Sequence, residues 1–296
     1  MEVKVKIENI QQLKLALEYD IVKGIIISRD SFAESELPKL VKTIKSKGKS
    51  AWILMERISR YEEFKKQELR LTTDKILEIK ELDGIIIQNI DCFSYILRKI
   101  NKAANERLNV ELNYTMNCYN LETKKVFEEL YNEKRENHED VPLLFTAPVE
   151  LNIYELEDVK YDSFIIYSYV DTMVSANCLR KNTCKGEHCE PACVNRFNFD
   201  KVQDFSSCII DRKGKKLYYK TYCKYCYNKI FNVEPLYLID KIDEIDFNRI
   251  RDITKNASET FYRIDFSFES EKEVRDILNK KVPDSFTRGH TKNSIK

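Results

Sequence analysis

Lys23-Gly-Ile-Ile-Ile-Ser28 and Asp83-Gly-Ile-Ile-Ile-Gln88 are near-copies of one another and carry the strongest strand signal in the chain. Each is an unbroken apolar run rather than an alternating one, as expected of a strand covered on both faces in a parallel sheet. The glycine that opens each run fits a turn from a helix into a strand. Working outward, similar runs recur at Val3–Ile7, Ala51–Met55, Val110–Asn113, Leu143–Phe145 and Phe164–Tyr167. Between them, apolar residues fall at helical spacing: Ile10, Leu13, Leu17, Ile21; then Leu37, Leu40, Val41, Ile44; later Phe93, Ile96, Leu97, Ile100. A further helix is expected over Leu121–Tyr131, with Thr123 near its start and Val126 and Leu130 on one apolar face. Strand–helix alternation means βαβ units and a parallel sheet.

Seven strands are counted by residue 167, and the alternating Phe261–Phe268, followed by a helical Glu271–Leu278, supplies an eighth. Eight strands with helices between them is the count of a closed (β/α)8 barrel, and the alternative, an open doubly wound sheet, needs a separate account of the eighth strand. The expected fold is therefore α/β and TIM-barrel-like. Residues 1–171 form the first seven units, 172–235 a cysteine-rich insertion between strands seven and eight, and 236–296 the last unit and tail. Chemistry in such barrels sits at the carboxyl ends of the strands. The groups expected there are Arg29, Glu56, Gln88, Asn89, Asn113, Thr146, Tyr167, Tyr169 and Asp265.

With 43% apolar and 33% charged residues, the 296-residue chain reads as globular. A net charge of +1 gives no global pull toward nucleic acid, and nothing in the sequence points to DNA. Its apolar runs are too short to span a membrane, and Met-Glu-Val-Lys-Val-Lys has no apolar signal region, so a cytoplasmic protein is expected. Thiols in that compartment more often hold metal than form disulfides, and an odd total of nine argues against a fully paired framework.

The cysteines crowd together as Cys178, Cys184, Cys189 and Cys193, then Cys208, then Cys223-Lys-Tyr-Cys226. The Cys-x2-Cys step lets two thiolates face one centre across a tight turn. Cys178, which follows strand seven, is the natural anchor for a second pair, its mate being Cys184, Cys189 or Cys193. Structural zinc prefers two short knuckles, and irregular spacing suits an iron–sulfur cluster; spacing leaves both open. Cys92 and Cys118 lie in or beside helical stretches and read as buried fillers. Around the cluster lie Arg180, Lys181, Lys185, Arg212, Lys213, Lys215, Lys216, Lys220 and Lys224, interleaved with Tyr218, Tyr219, Tyr222, Tyr225 and Tyr227. Such a collar either grips an anionic, base-bearing partner such as RNA or is an ordinary solvated surface. No serine elbow, phosphate-binding glycine loop or His-Glu-x-x-His occurs. With six glycines in all, a Rossmann-type nucleotide grip is excluded.

Several motifs of the second half resemble the peptidase U32 family over roughly residues 145–290. They are Tyr169-Val-Asp-Thr-Met-Val-Ser-Ala-Asn-Cys178, the Asp211-Arg-Lys-Gly214 turn, and Cys223-Lys-Tyr-Cys-Tyr-Asn-Lys-Ile-Phe-Asn232 with Pro235-Leu236. Glu150-Leu-Asn152, Arg263-Ile-Asp-Phe266 with Glu269, and Thr287-Arg-Gly-His290 add to them. The resemblance implies a TIM-barrel-like catalytic domain and a four-cysteine site that in relatives holds a 4Fe-4S cluster. Some relatives are oxygen-independent hydroxylases of RNA bases or ubiquinone precursors; others were named collagenase-like proteases. Carried over by position, the ligands are Cys178, Cys223 and Cys226, with Cys184 or Cys189 completing the set. The segment 184–193 departs from the pattern by holding more cysteines than one cluster needs.

The expected function is an iron–sulfur enzyme of the hydroxylase type acting on an RNA base or a small aromatic substrate. The alternatives are a U32-type peptidase and a zinc-stabilised RNA-binding module. Arg263, Arg288 and Asn152 are the expected substrate-binding residues, and Asp265, Glu150 and His290 the acid/base candidates.

Overall fold

The computed structural model describes residues 1–58, 63–135, 141–176, 204–210, 212–214, 216–225, 227–252 and 261–289. Strands and helices alternate through its first part: β1 (Val3–Ile7), α1 (Ile10–Glu18), β2 (Val22–Ser28), α2 (Leu37–Ser46), β3 (Ser50–Leu54), α3 (Glu63–Leu77), β4 (Gly84–Ile87), α4 (Ile90–Leu97), β5 (Asn109–Leu112), α5 (Leu121–Lys134), β6 (Leu143–Phe145), α6 (Ile153–Val159) and β7 (Phe164–Ser168). Four strands follow, β8 (Asp171–Ser175), β9 (Asp204–Ile210), β10 (Lys216–Tyr222) and β11 (Tyr227–Phe231). The chain then returns through β12 (Leu236–Tyr237), α7 (Phe247–Ile250), β13 (Tyr262–Asp265) and α8 (Glu271–Leu278).

The larger sheet runs in the order β12-β7-β13-β1-β2-β3-β4-β5-β6, and every pairing in it is parallel except β12 against β7. The sheet curls. Residues just after β6 meet those just before β7, with the Ala147 amide donating to the Ser163 carbonyl at 2.8 Å and the Ser163 amide to the Phe145 carbonyl at 3.1 Å. Such a curled parallel sheet with helices is compatible with a TIM-barrel-like fold. β8, β11, β10 and β9 form a separate antiparallel sheet. That sheet is not expected from the apolar runs, because its four strands are polar or tyrosine-rich and lack the continuous isoleucine-rich signature of the others.

Strand alternation sorts the two faces of the curled sheet. Val3, Val5, Ile7, Ile25, Ile27, Ala51, Ile53, Ile85, Ile87, Val110 and Leu112 join the helices in the main core. The opposite face is much smaller: Ile26, Trp52, Leu54, Ile86 and Leu144 make a separate apolar cluster. Gly84 belongs to that inner face rather than to a helix–strand turn. A Cβ on it would lie 2.3 Å from the Trp52 ring, so glycine is there to leave room for the indole.

The helices largely follow their apolar stripes, with asparagine caps where the chain enters them. Asn9, Asn89 and Asn120 each accept a hydrogen bond from the backbone three residues on. α5 departs from its expected face. Val126 and Leu130 are exposed while Lys124 and Tyr131 are buried. Lys124 donates to the Val159 and Lys160 carbonyls and pairs with Asp252 at 2.9 Å, so the basic side chain, not the apolar pair, tethers this helix. Among the described residues, no helix is long and apolar enough to cross a membrane.

Candidate functional site at the carboxyl end of the parallel strands

The inner face of a curled sheet has little room, yet this sequence places charge there. On β1 the residues alternating with Val3, Val5 and Ile7 are Lys4 and Lys6, and Glu8 follows directly; all three are buried. Buried charges must be paired. Lys4 lies 3.4 Å from Glu111 of β5 and 3.8 Å from the Trp52 ring centroid. Glu111 also accepts from Thr146 at 2.6 Å. Burial would raise its carboxyl, but Lys4 and Arg263 outweigh that and hold it below the ordinary range.

Arg263 and Asp265 share the inner face of β13. They form a two-pronged pair, at 2.6 Å through Nε and 2.8 Å through Nη2, and Nη1 donates to Asn113 at 3.0 Å. Gln88, Asn113, Thr146 and Asp265, each at or just beyond the carboxyl end of its strand, therefore converge around Arg263. In this arrangement Arg263 is already held by protein acceptors.

Glu8 is the hub of the next layer. It accepts from Lys6 at 2.8 Å, from Tyr222 at 3.0 and 3.1 Å, from Ser31 at 3.3 Å, and from Lys220. Burial pushes its carboxyl up, yet Lys220, Lys6 and Lys229 together hold it well below the usual carboxylate range. Asp30, where the chain leaves β2, behaves in the opposite way. Burial pushes its carboxyl up to about 6, with Glu56 and Glu8 adding to the rise and Lys229 and Tyr227 only partly offsetting it. The Tyr227 hydroxyl donates to Asp30 Oδ2 at 2.5 Å, while Oδ1 is buried without a hydrogen-bond partner among the described residues. Two neighbouring carboxylates driven to opposite protonation preferences are a pattern of acid–base sites.

The antiparallel sheet is clamped over this end by the turn joining β10 and β11. Lys224, within the Cys-x2-Cys step, donates to the Arg29 and Phe32 carbonyls at 2.8 and 2.6 Å and lies 3.0 Å from Glu34. Tyr225 donates to the same Glu34 at 3.2 Å. Arg29, fully buried, reaches Glu34 and Glu56 at 2.8 Å each and also donates to Thr72 and Thr73. The basic, tyrosine-rich collar thus divides. Lys220, Lys224, Tyr222, Tyr225 and Tyr227 are buried partners of the mouth, Tyr219 is buried and Tyr218 half-buried, Arg212, Lys213 and Lys216 are exposed at the far hairpin, and Arg180, Lys181, Lys185 and Lys215 lie outside the described residues. Lysine usually signals surface, and these lysines differ because carboxylates wait beneath them.

Of the expected metal ligands, Cys223 is buried at the start of the turn, and Cys178, Cys184, Cys189 and Cys226 lie outside the described residues. No group of three or more His, Cys, Asp or Glu fit for a metal occurs among the described residues. Glu150 follows β6 in a half-buried turn. Asn152 caps α6, accepting from the Tyr154 and Glu155 amides at 2.9 and 3.1 Å in a capping box. Arg288 pairs with Asp240 and donates to the Tyr237 carbonyl at 2.7 Å, sharing none of the Arg263 partners. His290 lies outside the described residues. Sequence reasoning missed Glu8, Asp30, Lys6 and Lys229. The available signal was Lys4-x-Lys6-x-Glu8 alternating with apolar residues on a strand expected to be covered on both faces.

No family model matches this sequence, and no curated protein matches it. Among solved structures, the chain is similar to one described as "The Structure of the U32 Peptidase Mk0906", with 16% identity over 58% of this chain and 72% of that one, at a TM-score of 0.41. An identity that low says nothing of activity.

Proposed function

We propose that this chain is a U32-type enzyme on a closed (β/α)8 barrel, in which residues 172–235 form the cysteine-rich insertion over the mouth and peptide-bond hydrolysis is the reaction. The observation that carries this reading is Asp30: a buried carboxyl pushed up to about 6, with one oxygen lacking a partner among the described residues. Above that pH, Asp30 takes a proton from water at Oδ1 and the resulting hydroxide adds to the scissile carbonyl carbon. The oxyanion is met by the Lys229 ammonium, whose charge acts on both Asp30 and Glu8. The proton held by Asp30 then passes to the leaving amine as the C–N bond breaks. Glu8 stays ionised throughout and keeps Lys6 and Lys220 charged and in place. Asp265 holds Arg263, which in turn orients Asn113 and Thr146.

The test is cleavage of a quenched-fluorescence peptide library by the metal-free and the zinc-loaded protein. Cleavage is expected to rise with pH through about 6, and Asp30→Asn is expected to lower kcat about 100-fold or more. Inactivity in both metal states, or full activity in Asp30→Asn, refutes the assignment.

A second reading, the iron–sulfur hydroxylase acting on an RNA base or a small aromatic molecule, is favoured by the burial of Cys223 in a turn that Lys224 and Tyr225 pin to the mouth. Cys178, Cys223, Cys226 and Cys184 or Cys189 would hold the 4Fe-4S cluster, which would supply the redox chemistry. Zinc is the alternative metal for the same thiols. Iron and sulfide analysis of anaerobically purified protein separates the two metals.

A further inference from the structure

Beside the acid–base centre, between the two sheets, lies a cavity of about 460 Å³, within the range of small-molecule sites. Tyr169, Tyr218 and Phe268 line it. The Tyr169 ring stands nearly perpendicular to Tyr218 at 6.0 Å and to Phe268 at 5.6 Å, and Tyr218 and Phe268 are tilted at 5.7 Å. Phe231 supports Phe268 edge-on at 4.9 Å. The remaining wall carries two carboxylates, Glu269 and Glu273, with polar residues 206–208, and among the described residues no lysine, arginine or histidine lines it.

Glu269 is buried and held in a fixed pose. Its Oε2 accepts from the Ser267 and Phe268 amides at 2.5 and 2.9 Å, while Oε1 has no hydrogen-bond partner among the described residues. The nearest cation on the β1 side, Lys6, is occupied by Glu8 at 2.8 Å and Ser267 at 3.3 Å. Glu273, from α8, has one oxygen committed to the Ser270 cap. At the end of β7, the Tyr167 hydroxyl hydrogen-bonds to the Glu269 carboxylate and Tyr169 lies near it. Among the described residues an anion finds no lysine, arginine or histidine in the wall, and a neutral apolar ligand leaves Glu269 Oε1 unsatisfied. A positive charge on an apolar head meets both the ring faces and the carboxylate.

From this cavity we propose a binding site for a small organic ammonium, with Glu269 as its counter-ion and Tyr169, Tyr218 and Phe268 as its aromatic wall. The site is independent of the peptidase reading, because binding is measured without turnover. The probes are choline for a methylated head, n-butylammonium for a primary one, and 3,3-dimethyl-1-butanol as the uncharged match in shape. In isothermal titration at about pH 8, one of the two cations is expected to bind at least about tenfold more tightly than the alcohol, and which one does so sorts methylated from primary ammonium. Glu269→Gln keeps an acceptor for the two amides and is expected to abolish the preference for charge. Tyr218→Leu, at a half-buried position, is expected to weaken the cation about 2- to 30-fold. Equal binding of cation and alcohol, retained preference in Glu269→Gln, or no heat from either cation overturns the assignment.

Discussion

Glu8 and Glu269 sit at the carboxyl ends of two neighbouring strands, β1 and β13, and both are buried, yet one is held ionised and the other is pushed toward its neutral form. Burial acts in the same direction on each. What differs is the covering sheet. β10 and β11 bring Lys220, Lys229 and Tyr222 onto Glu8, whereas the earlier end of the same β10 face offers Tyr218 and an open cavity toward Glu269. Backbone amides, Tyr167 and Lys6 only partly offset the burial of Glu269, and its carboxyl is pushed up to about 7. Two neighbouring parallel strands therefore lead into two carboxylates with opposite capabilities, and the covering antiparallel sheet decides which is which.

Removing the charge of Glu8 is the most severe way to break this contrast. Glu8→Gln leaves three lysines facing one another without their shared counter-charge, and breaking a buried ion pair in this manner costs about 3–5 kcal/mol. Because the Glu8 carboxyl is lowered in the fold, its contribution is present above the ordinary value of 4.5 and is lost as pH falls toward the folded value. Urea unfolding of the variant is thus expected to show a large loss near neutrality that shrinks in acid. A loss below about 1 kcal/mol at neutral pH would mean that the lysines find other partners and that Glu8 is no hub.

How much of this was legible from residue order depends on the range of the contacts involved. The parallel strands were readable because β2 and β4 are apolar on both faces, a property of each run by itself. The convergence of Arg29, Glu56, Gln88, Asn113, Thr146 and Asp265 followed from their positions just beyond or at the ends of those runs. The meaning of Lys224 and Tyr225 was not local. Lys224 meets the Arg29 carbonyl across 195 positions, and nothing within the Cys223 turn announces that partner. Lys4 and Lys6 were hidden for a related reason, since alternation gives a face but not whether that face is the inner one of a curled sheet. Asn152 misled in the other direction. Its place beside Glu150 in a family-like motif suggested substrate contact, while its local chemistry, Asn three residues before Glu155, is that of a helix cap.

Neutralising Glu269 should act with the opposite sign. A carboxyl raised from 4.5 to about 7 adds stability below the lower value, and this advantage disappears as pH climbs through the higher one. Glutamine mimics the protonated form, so Glu269→Gln is expected to match the native protein near pH 4.5 and to exceed its stability by about 3 kcal/mol near pH 8. Thermal melts at the two pH values check this. Destabilisation at the higher pH would show that the ionised carboxylate is needed by the fold itself, and the contrast with Glu8 would collapse.

The smallest effect is expected where the same kind of ion pair stands in water. Arg288 and Asp240 are linked through both guanidinium nitrogens, much as Arg263 and Asp265 are, but the Arg288 and Asp240 side chains keep 34% and 31% of their surface exposed, against 1% and 7% for the buried pair. Solvent screening at that exposure leaves such a pair worth about 0.2–1 kcal/mol. Arg288 also lies 4.4 Å over the Phe286 ring and holds the Tyr237 carbonyl, so some of any loss reflects packing of the final segment rather than charge. A double-mutant cycle with Arg288→Met and Asp240→Asn isolates the charge component, and added salt should erase it. The same Arg288→Met protein also weighs the sequence-based expectation that this arginine holds substrate. Unchanged KM with a slightly lower melting temperature assigns it to the surface pair, whereas a raised KM at unchanged stability returns it to the site and places the 288 segment at the mouth.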